Sequence, residues 1–108
     1  MLVAEILKGK GHAVWSVAPE LPLAEACGEL ERRSVGAVIV CAGDRVVGVL
    51  SERDVVRAIA RGGQAALSRP VSDYMTAEVV FAAPGETVGV MMQRMTDRRI
   101  RHLPVLAD

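Results

Sequence analysis

Ser51-Glu52-Arg53-Asp54 is the segment of this 108-residue chain with the clearest capacity for chemistry. It follows the run Gly48-Val49-Leu50 and precedes Val55-Val56, so it reads as a strand handing over to a helix. The first N–H groups of a helix have no intrahelical partner, and together with the helix dipole they favour an anion such as phosphate. A serine hydroxyl can join them. An aspartate carboxylate can accept two hydrogen bonds from a pair of vicinal hydroxyls. The same spacing suits a structural role: Ser51 as the N-cap and Asp54 at the third helical position, close to a capping box. Such a cap contributes about 1 kcal/mol. One hydroxyl can do both, so the two readings are compatible.

Three further stretches have residue types that could touch a ligand. Gly36-Ala37-Val38 offers small and apolar side chains on an expected strand, against which a flat ring could lie, or which simply pack the sheet. Lys10-Gly11-His12-Ala13-Val14 enters another strand through a glycine-flanked loop, where a histidine is often just exposed. Arg98, Arg99, Arg101 and His102 form a basic cluster. Strand alternation puts Arg101 and Leu103 on one face and His102 on the other. A guanidinium suits bidentate phosphate contact, but a charge cluster also blunts a sheet edge.

No catalytic set can be assembled. His12 and His102 have no carboxylate paired with them in a motif, and there is no glycine-rich phosphate loop, so the chain is expected to be no enzyme. Cys27 and Cys41 make no CxxC pair and lie far from both histidines, which argues against a metal site and a disulfide framework.

Thirteen basic and thirteen acidic residues cancel, which argues against a nucleic-acid binder. Trp15, Tyr74 and Phe81 are the only aromatics, too few for a base-stacking surface. An apolar content of 51% excludes a disordered chain. No apolar run approaches the roughly 20 residues of a membrane span. The N-terminus lacks the ordered regions of a signal peptide. A cytoplasmic protein with reduced thiols is expected.

These residues are placed by an internal repeat. Pro19 and Pro84 stand 65 residues apart, and at that offset the following segments align without a gap. Leu23, Ala26, Cys27 and Leu30 fall on Val88, Met91, Met92 and Met95, both in the i, i+3, i+4, i+7 spacing of an amphipathic helix. Each helix runs into an apolar strand, Val35 to Val40 and Ile100 to Val105. Short strands precede each proline, Val14 to Val17 and Val79 to Ala82. In the first repeat Gly43-Asp44 signals a turn, Arg45 to Leu50 the return strand, and Val55 to Arg61 a helix with Val55, Val56, Ile59 and Ala60 as its apolar side. Gly62-Gly63 stops that helix and Gln64 to Pro70 reads as a linker. The expected division is residues 1–66 and 67–108. Asp108 aligns with Gly43, so the second repeat is expected to lack its last strand and helix.

The repeated strand-helix-strand-strand-helix unit resembles a tandem CBS module, also called a Bateman module. The resemblance rests on Val14 to Pro19, Gly36 to Val40, Gly48 to Val56, Val71-Ser72-Asp73-Tyr74-Met75-Thr76, Pro84 to Val88 and Arg99 to Val105 in that order. It implies an α+β sandwich fold, each repeat a short three-stranded sheet with two helices, the repeats related by a pseudo-two-fold. It implies regulatory binding of an adenosine-containing ligand (AMP, ADP, ATP, NAD(H) or S-adenosylmethionine) between the repeats, with no catalytic cofactor. It places Ser51 near a phosphate and Asp54 on a ribose, with Arg53 between them. The backbone of Lys10, His12, Ala13 and Val14 would read the adenine edge, and Gly36, Ala37 and Val38 would lie against the ring. Arg101, with His102 beside it, would contact phosphate. A homodimer and a regulated partner protein are implied, with no membrane partner. The alternative is a ligand-free structural dimerisation module.

Overall fold

The computed structural model describes residues 15–77, 83, 85–98 and 104. Val14–Val79 form one compact unit, and Val80–Asp108 belong to a second.

The first unit is a three-stranded sheet with two helices. Strand β1 (Ser16–Val17) pairs in parallel with β2 (Ala37–Ala42), and β2 pairs antiparallel with β3 (Arg45–Ser51). The β2–β3 hairpin turns at Gly43-Asp44, where Gly43 takes a positive φ of 63° that glycine adopts without steric cost. Helix α1 (Leu23–Arg33) follows β1 and α2 (Glu52–Gly62) follows β3.

Periodicity decides which residues fill the core. Leu23, Ala26 and Leu30 recur on one face of α1 and are buried, with Cys27 packed beside them. Burial raises the Cys27 thiol pKa, which keeps it a small apolar side chain. Val38 and Val40 of β2 alternate inward and stand opposite Leu50 and Gly48 of β3. Ala58, Ala66 and Val71 close the cluster. Full burial of a side chain such as Leu23, Leu50 or Val40 contributes about 1.5–3 kcal/mol.

Three expectations are corrected here. Gln64 to Pro70 is no plain linker: Gly63–Ser68 form a 3-10 turn that buries Ala66. The inward face of α2 is Asp54 and Ala58, with Val55 half-buried, whereas Val56 and Ile59 point outward at 66% and 40% exposure. The capping box ties Asp54 inward at the third helical position, and Ala58, one turn on, follows it. Gly36 precedes β2 and is not part of it.

The segment after the turn is laced back onto the unit. Leu23 N–H donates to Arg69 O at 2.9 Å, Val71 N–H to Leu21 O at 2.8 Å and Ser72 N–H to Pro19 O at 2.9 Å. Thr76 then bridges β3, exchanging both backbone bonds with Val49 at 2.9 and 3.0 Å. Gly48 makes room for this crossing: a Cβ there would lie 2.6 Å from Met75 Sδ and 3.0 Å from Thr76 O. Methionine can move aside, but a backbone carbonyl held by Val49 cannot. Gly48→Ala is therefore expected to destabilise the protein by about 1–3 kcal/mol, read as a lower urea midpoint. An unchanged midpoint would show that Thr76 does not cross β3 in this way.

In the second unit α3 (Val88–Arg98) begins with the Thr87 hydroxyl accepting from Val90 N–H at 3.2 Å. The Glu86 carboxylate accepts from Ala83 N–H at 2.8 Å and pairs with Arg94. The Arg94 hydrogen bond is the main reason the Glu86 carboxyl sits below the usual carboxylate range. Val88, Met91 and Met95 are half-buried, as the helical stripe predicts, while Met92 is 60% exposed.

Candidate functional site

Ser51 ends β3 in extended backbone and caps α2. Its hydroxyl accepts from Asp54 N–H at 3.3 Å, while Asp54 Oδ2 accepts from Ser51 N–H at 2.9 Å and from the Ser51 hydroxyl at 3.1 Å. This is a complete capping box. Asp54 is the one charged residue in the buried set of the described residues, at 6% exposure. Its other oxygen, Oδ1, receives the Thr76 hydroxyl at 3.3 Å and faces Arg57 Nη1 at 4.0 Å. The Thr76 hydroxyl also reaches Oδ2, at 3.4 Å.

Hairpin register brings the small residues of β2 to the same place. Ala37 stands opposite Ser51 and Val38 opposite Leu50. Gly36 O accepts the first helical N–H, that of Glu52, at 2.9 Å. Gly36, Ala37, Ser51 and Asp54 therefore meet at the start of α2. The Val38 side chain is 2% exposed and belongs to the core below. Arg53 is exposed on α2.

The start of α2 is less open to an anion than its sequence suggests. The N–H groups of Glu52 and Asp54 already donate to Gly36 O and the Ser51 hydroxyl. What the site offers is a buried carboxylate, a serine hydroxyl and a small-residue strand end. Such a carboxylate is an acceptor for paired hydroxyl donors.

Lys10, His12, Ala13, Val14, Arg101 and His102 lie outside the described residues, as does Arg99. Arg98 closes α3. Thr76 was assigned no role from the sequence, although it stands in the segment Val71 to Thr76. It is 22 residues from Asp54, so no local spacing signals their meeting. Among the described residues, no group of three or more histidines, cysteines or carboxylates is placed to hold a metal ion. No helix among them is long and apolar enough to cross a membrane.

The sequence and the fold both have known counterparts. Residues 4–61 and 71–108 match the CBS domain family. The chain belongs to that family. Its fold is the α+β fold of a CBS-domain pair. The CBS domain-containing protein CBSX3, mitochondrial, of Arabidopsis thaliana is 33% identical over 116 residues, covering 98% of this chain and 56% of that protein. This CBS chain thus spans little more than half the length of that relative. Among solved structures, the CBS-domain protein ATU1752 of Agrobacterium tumefaciens superimposes with a TM-score of 0.97 at 38% identity, over 100% of this chain and 86% of that one. The CBS domain protein PAE2072 of Pyrobaculum aerophilum, complexed with AMP, superimposes with a TM-score of 0.86 at 26% identity, over 100% of this chain and 80% of that one.

Proposed function

We propose that this CBS-domain chain is a regulatory module that binds an adenosine nucleotide and has no catalytic activity of its own. The buried Asp54 carboxylate carries the reading. Its Oδ1 meets only the long Thr76 bond and a distant Arg57 among the described residues, so it has capacity for a ribose hydroxyl. The AMP complex of the Pyrobaculum aerophilum relative supports an adenosine ligand. Ala37, opposite Ser51, gives an adenine ring a small surface to lie on. On the family pattern, the backbone of Lys10, His12, Ala13 and Val14 reads the adenine edge. On the same pattern, Ser51 with Arg53 would contact phosphate, as would Arg101 with His102. Occupancy is then passed to a second copy of the chain or to a regulated partner protein, in the cytoplasm.

A thermal-shift series with AMP, ADP, ATP, NAD⁺, NADH and S-adenosylmethionine tests this. A ligand at about 100 times its dissociation constant adds about 2.7 kcal/mol to stability, a shift of several degrees for a domain this size. One hit names the ligand. The outward Val56 and Ile59 favour the second reading, a ligand-free dimerisation module. A flat series, with a dimer that Val56→Asp dissociates, would establish that second reading.

A further inference from the structure

We infer that the Thr76 hydroxyl is a gate on the Asp54 carboxylate, competing with one hydroxyl of a vicinal-diol ligand for Oδ1. The inference rests on the reading of Asp54 as the ribose acceptor and adds the residue that limits its affinity. Three donors reach this carboxylate. Two belong to Ser51, and both go to Oδ2. The N–H bond is half of the capping box and cannot leave without opening it, and the hydroxyl bond, at 3.1 Å, is shorter than either Thr76 distance. The third is the Thr76 hydroxyl, which splits between Oδ1 at 3.3 Å and Oδ2 at 3.4 Å. Both distances are long for a bond from a hydroxyl, so this is the weakest donor of the three. Thr76 is itself exposed, so its hydroxyl can turn to water. A diol that donates two O–H groups to Asp54 needs Oδ1, and Thr76 is the donor it can displace.

The backbone makes this a rotation and not a retreat. Thr76 N–H and C=O are both bonded to Val49 of β3, so its Cα stays beside the carboxylate. The hydroxyl leaves by turning about χ1 between staggered positions. A diol that takes both acceptor positions of Oδ1 displaces it, and when that diol leaves the hydroxyl returns.

The test is calorimetric titration of AMP into the parent chain and three variants. Thr76→Val keeps the shape and removes the donor, and is expected to bind AMP about five- to tenfold more tightly, the scale of one ordinary hydrogen bond. Thr76→Ser keeps the donor and is expected to match the parent. With 2′-deoxy-AMP, which lacks the diol, the gain of Thr76→Val is expected to disappear. Equal or weaker AMP binding by Thr76→Val overturns the gate. Asp54→Asn separates the two levels: if it loses AMP while Thr76→Val binds like the parent, the gate alone is wrong. If Asp54→Asn binds AMP as the parent does, or if neither the parent nor Thr76→Val binds it, the Asp54 reading and the gate fall together.

Discussion

Leu50→Ala is expected to destabilise the protein by about 2–5 kcal/mol. Leu50 of β3 is fully buried, stands opposite Val38 and belongs to the same core cluster as Leu23, Ala26 and Leu30 of α1. Truncation removes the transfer free energy of the side chain and leaves a cavity that close-packed neighbours fill only in part. The loss in melting temperature is expected to be about 10 °C or more, because each kcal/mol shifts a small domain by several degrees. Urea unfolding followed by circular dichroism measures it. A loss below about 1 kcal/mol would mean that Leu50 is not a core residue. Its position next to Ser51 links this packing to the site, since Leu50 anchors the strand end from which the cap is built.

Asp54→Ala is expected to cost about 2 kcal/mol in stability without any ligand. The substitution removes the acceptor of Ser51 N–H, of the Ser51 hydroxyl and of the Thr76 hydroxyl. Hydrogen bonds to a charged group contribute about 1.5–3 kcal/mol each, offset here by the desolvation of a carboxylate that is only 6% exposed. Ser51→Ala loses the other half of the box and is expected to cost about 1 kcal/mol. Because the two side chains bond each other, the double variant is expected to lose less than the sum of the singles. Additive losses would show that the box is not formed.

Much of this was legible in the chain, for identifiable reasons. The spacing of Leu23, Ala26 and Leu30 locates α1 and its buried face, because burial on a helix has a period of 3.6. Gly43-Asp44 between two apolar runs locates the hairpin, and Ser51 to Asp54 locates the cap. The face of α2 was not legible. Val55, Val56, Ile59 and Ala60 make a plausible apolar stripe, yet the capping box turns Asp54 inward, Ala58 follows, and Val56 and Ile59 are left outside. A polar contact thus outweighed hydrophobic periodicity in setting the rotation of a short helix. Thr76 was illegible for a different reason. Its meeting with Asp54 depends on the bonds that lace residues 69–72 to 19–23 and on the missing side chain of Gly48. Contacts made by closing a chain across a sheet have no local spacing to betray them.

The family and its fold follow from sequence and superposition together. The proposed ligand site adds a physical reason for the order of the motif. Serine at the strand end lets one residue serve both the cap and the ligand, and aspartate three residues later returns the carboxylate to the same point.

The most direct test is calorimetric titration of AMP into the parent chain and into Asp54→Asn. Asparagine keeps the size and one acceptor but replaces the other with a donor and removes the charge, so the side chain loses half of its capacity to accept from a ribose diol. Saturable binding by the parent, weakened at least about tenfold in the variant, is the predicted result. Equal affinity in the two proteins would contradict the assignment of Asp54 to the ligand and leave it a helix cap alone.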